Sequence, residues 1–292
     1  MDWNSRRITS ILEHALLEDR ATHDATSAAC IDPHQLATGT ILAKQDFILA
    51  GIECMERVFD VFATLDPTVL GHPEVKSHPE VFDGVRMHAG QTVAVIRHQA
   101  RVILSCERVI LNLMQRMSGI ATLTRQYVDA IAGTQARILD TRKTAPGLRM
   151  LDKFAVRCGG GTNHRLDLSD GVLIKNNHIA LAGSAGEALR RAVKQRSGHQ
   201  PIQIEVRSLE ELQDALSNGA DGILLDNMTP ALVRQCVEHV AAAGRRIPLE
   251  CSGGMNLETI RAYAETGVDF ISVGALTHSA KAVDMSLRVM PA

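Results

Sequence analysis

Aromatic side chains are scarce in this chain. Only 3% of its 292 residues are Phe, Trp or Tyr. That is too few for a base-stacking platform on single-stranded nucleic acid or for an interfacial aromatic belt. A surplus of either charge is missing too: 31 Lys and Arg face 33 Asp and Glu, for a net charge of −2. This excludes the electrostatic footprint of a nucleic-acid binder. No run of about 18 apolar residues exists, so no transmembrane helix and no membrane partner are expected. The N-terminal stretch has no apolar core of signal-peptide length. The six cysteines, Cys30, Cys54, Cys106, Cys158, Cys236 and Cys251, form no CxxC pair. They argue against zinc and against a disulfide framework, and for buried free thiols in a reducing cytoplasm.

What remains is an ordinary globular composition, 45% hydrophobic and 22% charged, with material for a sizeable core. The length suits about two domains, or one barrel with an extension. Apolar spacing predicts helices over 5–18 and 53–65, and short strands over 38–43, 47–50, 92–96 and 101–104. The first ~100 residues therefore read as α+β with antiparallel strands. A long helix is expected over about 106–131. After it the pattern changes. Strand candidates at 137–140, 171–175, 202–206, 222–226, 247–250 and 270–273 alternate with helices at 186–196, 209–218, 230–243 and 257–266. Such alternation implies a parallel sheet closed, or nearly closed, into a barrel.

In parallel barrels the active site lies at the carboxyl ends of the strands. In this chain those ends carry charge. Asp140 leads into Thr141-Arg142-Lys143-Thr144, and Lys175 into Asn176-Asn177-His178. Glu205, Asp226 and Glu250 end the next three strands. Acids converging with bases suggest a polyanionic, metal-bound ligand. A basic concentration spans 137–178, with Arg142, Lys143, Arg149, Lys153, Arg157, Arg165, Lys175, His164 and His178 around Gly159-Gly160-Gly161. It reads as a Gly-rich anion-receiving loop at the barrel mouth. Ser252-Gly253-Gly254 and Gly274 follow the last two strands, where barrels of this type hold phosphate. Together these signals indicate a sugar phosphate.

Two weaker candidates read as structure. His72-Pro73-Glu74 and His78-Pro79-Glu80 suggest turns rather than a metal site. Cys106, in Ser105-Cys106-Glu107-Arg108, reads as a buried thiol at the start of a helix. No GxSxG, GxGxxG or Walker pattern occurs.

The stretch DTRKTAPGLRMLDKFAVRCGGGTNHRLDLSDGVLIKNNHI resembles the signature of the quinolinate phosphoribosyltransferase family. ERVILNLMQRMSGIAT (107–122), IEVRSLEEL (204–212), GILLDNM (222–228), ECSGGMN (250–256) and SVGALTHSAKAVDMSL (272–287) agree in order. The resemblance extends to LLEDRATHDATS (16–27). It implies an incomplete parallel α/β barrel of six to seven strands over 113–275. An N-terminal α+β sandwich-like domain would cover 1–112 and be rejoined by 276–292. It also implies a cytoplasmic homodimer or hexamer of dimers with shared active sites.

The implied substrates are quinolinate and 5-phosphoribosyl 1-pyrophosphate with Mg²⁺, and the products nicotinate mononucleotide, pyrophosphate and CO₂, in NAD biosynthesis. Residue by residue, the resemblance implies that Arg142, Lys143, His164, Arg165 and Lys175 line the quinolinate pocket, with Arg108 from the other subunit. Glu205 and Asp226 would hold ribose hydroxyls and Mg²⁺, directly or through water. Lys175 would also reach the donor. Ser252, Gly253, Gly254 and Gly274 would hold its 5-phosphate. Lys143, Glu205 and Asp226 are the catalytic candidates.

Three positions depart from the family pattern: Asn176 for the common Asp, Arg207 for a small or acidic residue, and Cys251 for Ala. Transfer to another acid and a silent sugar-phosphate sensor are the competing readings. The full basic set argues against the first, and the presence of Glu205 and Asp226 against the second.

Overall fold

Alternating burial along strands and three-to-four-residue burial along helices mark the elements, and the chain divides into two compact units. The computed structural model describes residues 1–69, 71–244 and 246–292. In chain order come α1 (Arg6–Glu18), a 3-10 turn (Ala21–His23), α2 (Ala25–Cys30), β1 (Leu36–Ala43), β2 (Phe47–Ile48) and α3 (Cys54–Leu65). Then follow β3 (Glu74–Lys76), β4 (Arg86–Met87), β5 (Thr92–Gln99), α4 (Ala100–Ala130), β6 (Arg137–Leu139), α5 (Arg149–Cys158), β7 (Val172–Ile174), α6 (Asn176–Ala182) and α7 (Ala185–Gln195). The remainder is β8 (Ile202–Val206), α8 (Leu209–Ser217), β9 (Gly222–Asp226), α9 (Pro230–Ala242), β10 (Leu249–Ser252), α10 (Ile260–Ala264), β11 (Phe270–Ser272), α11 (Ala275–His278) and β12 (Met285–Pro291).

The N-terminal unit comprises Met1–Leu123, Ala145–Gly160 and Ser279–Ala292. Its main sheet has the order β12-β1-β5-β3, antiparallel throughout. The C-terminal strand pairs Thr40 with Arg288 and Ile41 with Leu287. Along β1, Ala37, Ile41 and Ala43 are buried on one face. Helix α1 buries Ile8, Leu12 and Leu16, one stripe at four-residue spacing. Asp24 caps α2 by accepting the backbone N–H groups of Thr26 and Ser27, which satisfies donors a helix start leaves open.

Two local readings are corrected. Residues 101–104 form no strand; they lie in the first turns of α4, and Cys106 stands well inside that helix rather than at its start. The run Arg101-Val102-Ile103-Leu104 looks β-like locally, but the burial of Val102, Ile103, Cys106, Val109 and Ile110 follows helical spacing. The basic segment before Gly159 is also no loop. Residues 149–158 form α5, which buries Leu151, Phe154, Ala155 and Val156 in the N-terminal unit. Asp152, fully buried, takes both Nε and Nη2 of Arg116, at 2.9 and 2.8 Å. Trp3 meets Phe154 edge to face at 5.5 Å. The cysteines are not uniformly buried: Cys54, Cys106, Cys236 and Cys251 are buried and free, but Cys30 is exposed and Cys158 half-buried.

The second unit, Thr124–Thr144 with Gly161–His278, holds one sheet of order β6-β11-β10-β9-β8-β7. All its pairings are parallel. Strands β7 to β11 are neighbours in chain order, and β6 joins beside β11. This is an incomplete α/β barrel with β6 and β7 as edges. Ser184, Ser208 and Thr229 cap α7, α8 and α9 by accepting a backbone N–H three residues on. Among the described residues, no helix is long and apolar enough to cross a membrane.

Gly119, in α4, has no room for a side chain. A Cβ there would sit 2.1 Å from the backbone oxygen of Lys281. Gly119→Ala is expected to destabilise the protein by about 1–3 kcal/mol, read as a lower Tm in thermal unfolding followed by circular dichroism. An unchanged Tm would contradict this tight approach.

Candidate active site

Side chains alternate across a strand, so each barrel strand sends every second residue toward the cavity. In β8, Ile202, Ile204 and Val206 are buried on one face, and Gln203 and Glu205 point the other way. The parallel register then sets Glu205 beside Leu224, Leu224 beside Glu250, and Asp226 beside Ser252. Leu173, Lys175, Glu205, Leu224, Asp226, Glu250, Ser252 and Ser272 thus meet in one cavity of about 170 Å³, with Thr141, Arg142, Lys143, His164 and Arg165 from the loops.

The strand-end acids divide into two kinds. Asp140 is fully buried; it accepts from Asn163 Nδ2 at 2.7 Å and from the His164 backbone N–H at 2.8 Å. Glu250 is 3% exposed; it accepts from Gln203 Nε2 at 2.7 Å and from Ser272 Oγ, and lies 3.3 Å from His164 Nε2. These two acids hold the loop that carries His164 and Arg165. Burial pushes the Glu250 carboxyl up, but the bonds from His164, Ser272 and Gln203 outweigh it and hold it below its usual value. Glu205 and Asp226 form the other kind, and their side chains keep 10% and 13% exposure. Burial and the neighbouring Asp226 charge push the Glu205 carboxyl up, against the pull of Lys175 and Arg207.

The basic residues divide too. Arg142, Lys143, His164, Arg165 and Lys175 line the cavity, whereas Arg149, Lys153 and Arg157 belong to α5. The Arg165 backbone N–H donates to His164 Nδ1 at 2.7 Å, which leaves Nε2 to donate to Glu250. Arg165 Nη1 donates to the Gly171 carbonyl at 2.9 Å. Burial and the nearby Arg142 charge lower the Arg165 guanidinium. The Lys143 carbonyl accepts from Thr277 Oγ1 at 2.8 Å, which ties the loop after β6 to α11.

Ser252 lines the cavity, whereas Gly253, Gly254 and Gly274 are not among its lining residues. Gly253 has φ +103°, and a Cβ there would sit 2.1 Å from Asn227 Oδ1; only glycine fits. Gly274 closely approaches Lys143 and His278 side-chain atoms. Arg108 lies exposed on α4 in the N-terminal unit and is not among the cavity residues. Sequence reasoning missed Gln203, Asn163 and Ser272. The two-residue step from Glu205 would have found Gln203. Asn163 and Ser272 act through their side chains on Asp140 and Glu250, partners that only the fold brings to them.

The weaker candidates stay outside the site. His72 lies 3.5 Å from Asp60, and His78 lies 3.8 Å from Glu80. Among the described residues no group of three or more His, Cys, Asp or Glu could hold a metal. Burial pushes the Cys106 thiol far up, which suits a core thiol and not a nucleophile.

Fold and site define a parallel-barrel protein that gathers cations and a carboxylate pair at its strand ends. The family model for the quinolinate phosphoribosyl transferase N-terminal domain matches residues 24–118, and that for the C-terminal domain matches 120–288. A probable nicotinate-nucleotide pyrophosphorylase (carboxylating) of Bacillus subtilis (strain 168) is 43% identical, covering 98% of this chain and 94% of its own. The nicotinate-nucleotide pyrophosphorylase (carboxylating) of Mycobacterium leprae (strain TN) is 42% identical over 94% of this chain and 95% of its own. The crystal structure of NadC from Streptococcus pyogenes superposes with a TM-score of 0.91 at 36% identity, over 100% of this chain and 99% of that one. This chain belongs to the quinolinate phosphoribosyltransferase family.

Glu250→Gln would place an amide donor among donors. The expected cost is about 1–3 kcal/mol. The sign with pH follows from the lowered Glu250 value. Its contribution is fully present above the ordinary carboxylate range and is lost as pH falls through the lowered value. Urea unfolding from neutral into acid pH should therefore show a flatter acid limb in the variant. An identical pH dependence would mean Glu250 is not held ionised.

Proposed function

We propose that the protein transfers a phosphoribosyl group from 5-phosphoribosyl 1-pyrophosphate to quinolinate with loss of CO₂, giving nicotinate mononucleotide and pyrophosphate for NAD biosynthesis. The observation that carries this reading is one cavity in which Arg142, Lys143, Arg165 and Lys175 face Glu205 and Asp226, in a chain of this family. Quinolinate brings two carboxylates, and the donor brings phosphates and a sugar diol. The cations match the first set of charges, and the carboxylate pair matches the second.

The chemistry is charge management. The pyridine nitrogen supplies its own lone pair to the anomeric carbon, so the attack needs no general base. The bond to pyrophosphate breaks, and the electron pair leaves with it. Glu205 and Asp226 would stabilise the positive charge that develops on the ribose and accept its hydroxyls. Arg142, Arg165 and Lys175 would orient the carboxylates and phosphates, which supplies much of the rate by positioning. In the second step the bond from C2 to the carboxylate breaks, CO₂ leaves, and C2 takes up a proton. The electron pair stays on C2 meanwhile, stabilised by the positive charge of the adjacent quaternised nitrogen, and the Lys143 cation would stabilise it further. With both ring nitrogens engaged inside the chain, His164 would shape the quinolinate pocket. Ser252, Gly253, Gly254 and Gly274 would cradle the 5-phosphate with backbone N–H groups.

Glu205 and Asp226 fit Mg²⁺. They are oxygen donors on adjacent strands, close enough that Asp226 raises the Glu205 carboxyl. Mg²⁺ uses one or two carboxylates and takes the rest of its shell from water and substrate phosphate. When bound it would supply charge neutralisation for the departing pyrophosphate.

We further propose a cytoplasmic homodimer, alone or in a hexamer of dimers, in which Arg108 of one subunit completes the quinolinate pocket of the other. What supports this is the family membership and the place of Arg108 on an exposed face of α4.

Quinolinate, donor and Mg²⁺ mixed with the protein should lose quinolinate absorbance and release matching CO₂. Lys143→Ala should lower turnover by at least about 10²-fold. Turnover of another acid instead would overturn the substrate. If sites are shared, mixing inactive Arg108→Ala and Lys143→Ala proteins under subunit exchange should restore partial activity. No recovery would place Arg108 within its own subunit's site.

A further inference from the structure

The mechanism makes no use of Arg207, yet its guanidinium sits on the carboxylate pair. Nε and Nη2 lie 3.1 and 3.0 Å from Asp226 Oδ2, and Nη2 also lies 3.4 Å from Glu205 Oε1. The acids are about nine-tenths covered, but the Arg207 side chain is 50% exposed. It is an arm rooted outside the site and reaching in. Its backbone is fixed separately, because the Arg207 N–H donates to Glu211 Oε2 at 2.6 Å. Glu211 is in turn locked in the first turn of α8 by the Ser208 cap. The side chain can therefore leave without moving the strand. A cleft of about 200 Å³ opens beside it, lined by Asn176, Ile179, Ala180, Glu205, Arg207 and Glu211.

We propose that Arg207 is a built-in counter-cation: in the ligand-free protein its guanidinium offsets part of the charge of Glu205 and Asp226 at the place where Mg²⁺ is held, and metal and donor must displace it. The proposal rests on the reading of Glu205 and Asp226 as the metal-holding pair. A guanidinium and a divalent cation repel each other and draw on the same carboxylate oxygens, so both cannot hold them at full strength. Two acids this close and this covered favour a nearby cation. Arg207 supplies one until the donor arrives and then swings into the adjoining cleft. Its cost is a weaker affinity for the free metal, and its effect is to couple metal entry to the donor.

The test is Mn²⁺ binding, as a paramagnetic stand-in for Mg²⁺, titrated into full-length protein without substrates and with free Mn²⁺ read by electron paramagnetic resonance. Arg207→Lys keeps the charge and should bind Mn²⁺ within about twofold of the wild type. Arg207→Gln should bind about tenfold more tightly, and Arg207→Glu more tightly still. Adding Asp226→Asn to Arg207→Gln should abolish the gain. A structural role for Arg207 would not produce this order by charge. Calorimetry of donor binding in Mg²⁺ should likewise show tighter binding by Arg207→Gln.

Mn²⁺ affinity unchanged in Arg207→Gln, or a gain that survives Asp226→Asn, would overturn the proposal. So would weaker donor binding in Arg207→Gln, which would make Arg207 an anion-receiving arm. Neither measurement uses quinolinate. A failed substrate assignment would therefore leave this result standing, and quinolinate turnover with unchanged Mn²⁺ affinity would defeat this proposal alone.

Discussion

A carboxylate taken out of water loses several kcal/mol of solvation unless charge and hydrogen bonds replace it. Asp140, just past β6, and Glu250, within β10, are both buried; Asp140 recovers that loss from the loop after α5, and Glu250 from that loop and from strands β8 and β11. Asp140 takes the Asn163 amide and the His164 N–H, and Glu250 takes His164, Gln203 and Ser272. The loop after α5 is also bridged to β6 at Thr162, whose N–H donates to the Ile138 carbonyl at 2.8 Å. Its position, and with it that of Arg165, depends on these buried acids being satisfied. Everything the cavity presents to a ligand from that side follows from this arrangement.

The opposite side is set by register. Parallel pairing at fixed offsets brings Lys175, Glu205, Asp226 and Ser252 to one rim. A one-residue slip of β8 would turn Glu205 outward and bring Val206 in its place. The apolar residues alternating with these groups, Ile202, Ile204, Ile223 and Leu225, are fully buried on the other face. The same packing that makes the barrel stable therefore fixes where its charges stand. Binding and folding share one constraint.

Charge at the mouth is balanced at close range. Cations from the loops face a carboxylate pair from the strands, and Arg207 already lies on that pair. A ligand carrying carboxylates and phosphates would take over the cations, and a metal would take over the acids.

The architecture was legible in the sequence because period-2 and period-3.6 patterns are local. Strands 202–206 and 222–226 were read to the residue, and the helices at 209–218 and 230–243 to within one. The strand-end residues Lys175, Glu205, Asp226 and Ser252 were legible for the same reason: a strand's end and a barrel's chemistry lie together. Local pattern failed where long-range contact decides. Arg101 to Leu104 looks like a strand until α4 buries Val102 and Ile103 together with Cys106. A Gly-rich flank hid α5, and with it the separation of Arg149, Lys153 and Arg157 from the cavity. The sequence also counted Asp140 and Glu250 with Glu205 and Asp226 as equals. Only the tertiary structure divided them, because whether a carboxylate clamps a loop or faces a ligand depends on which donors reach it from elsewhere in the chain.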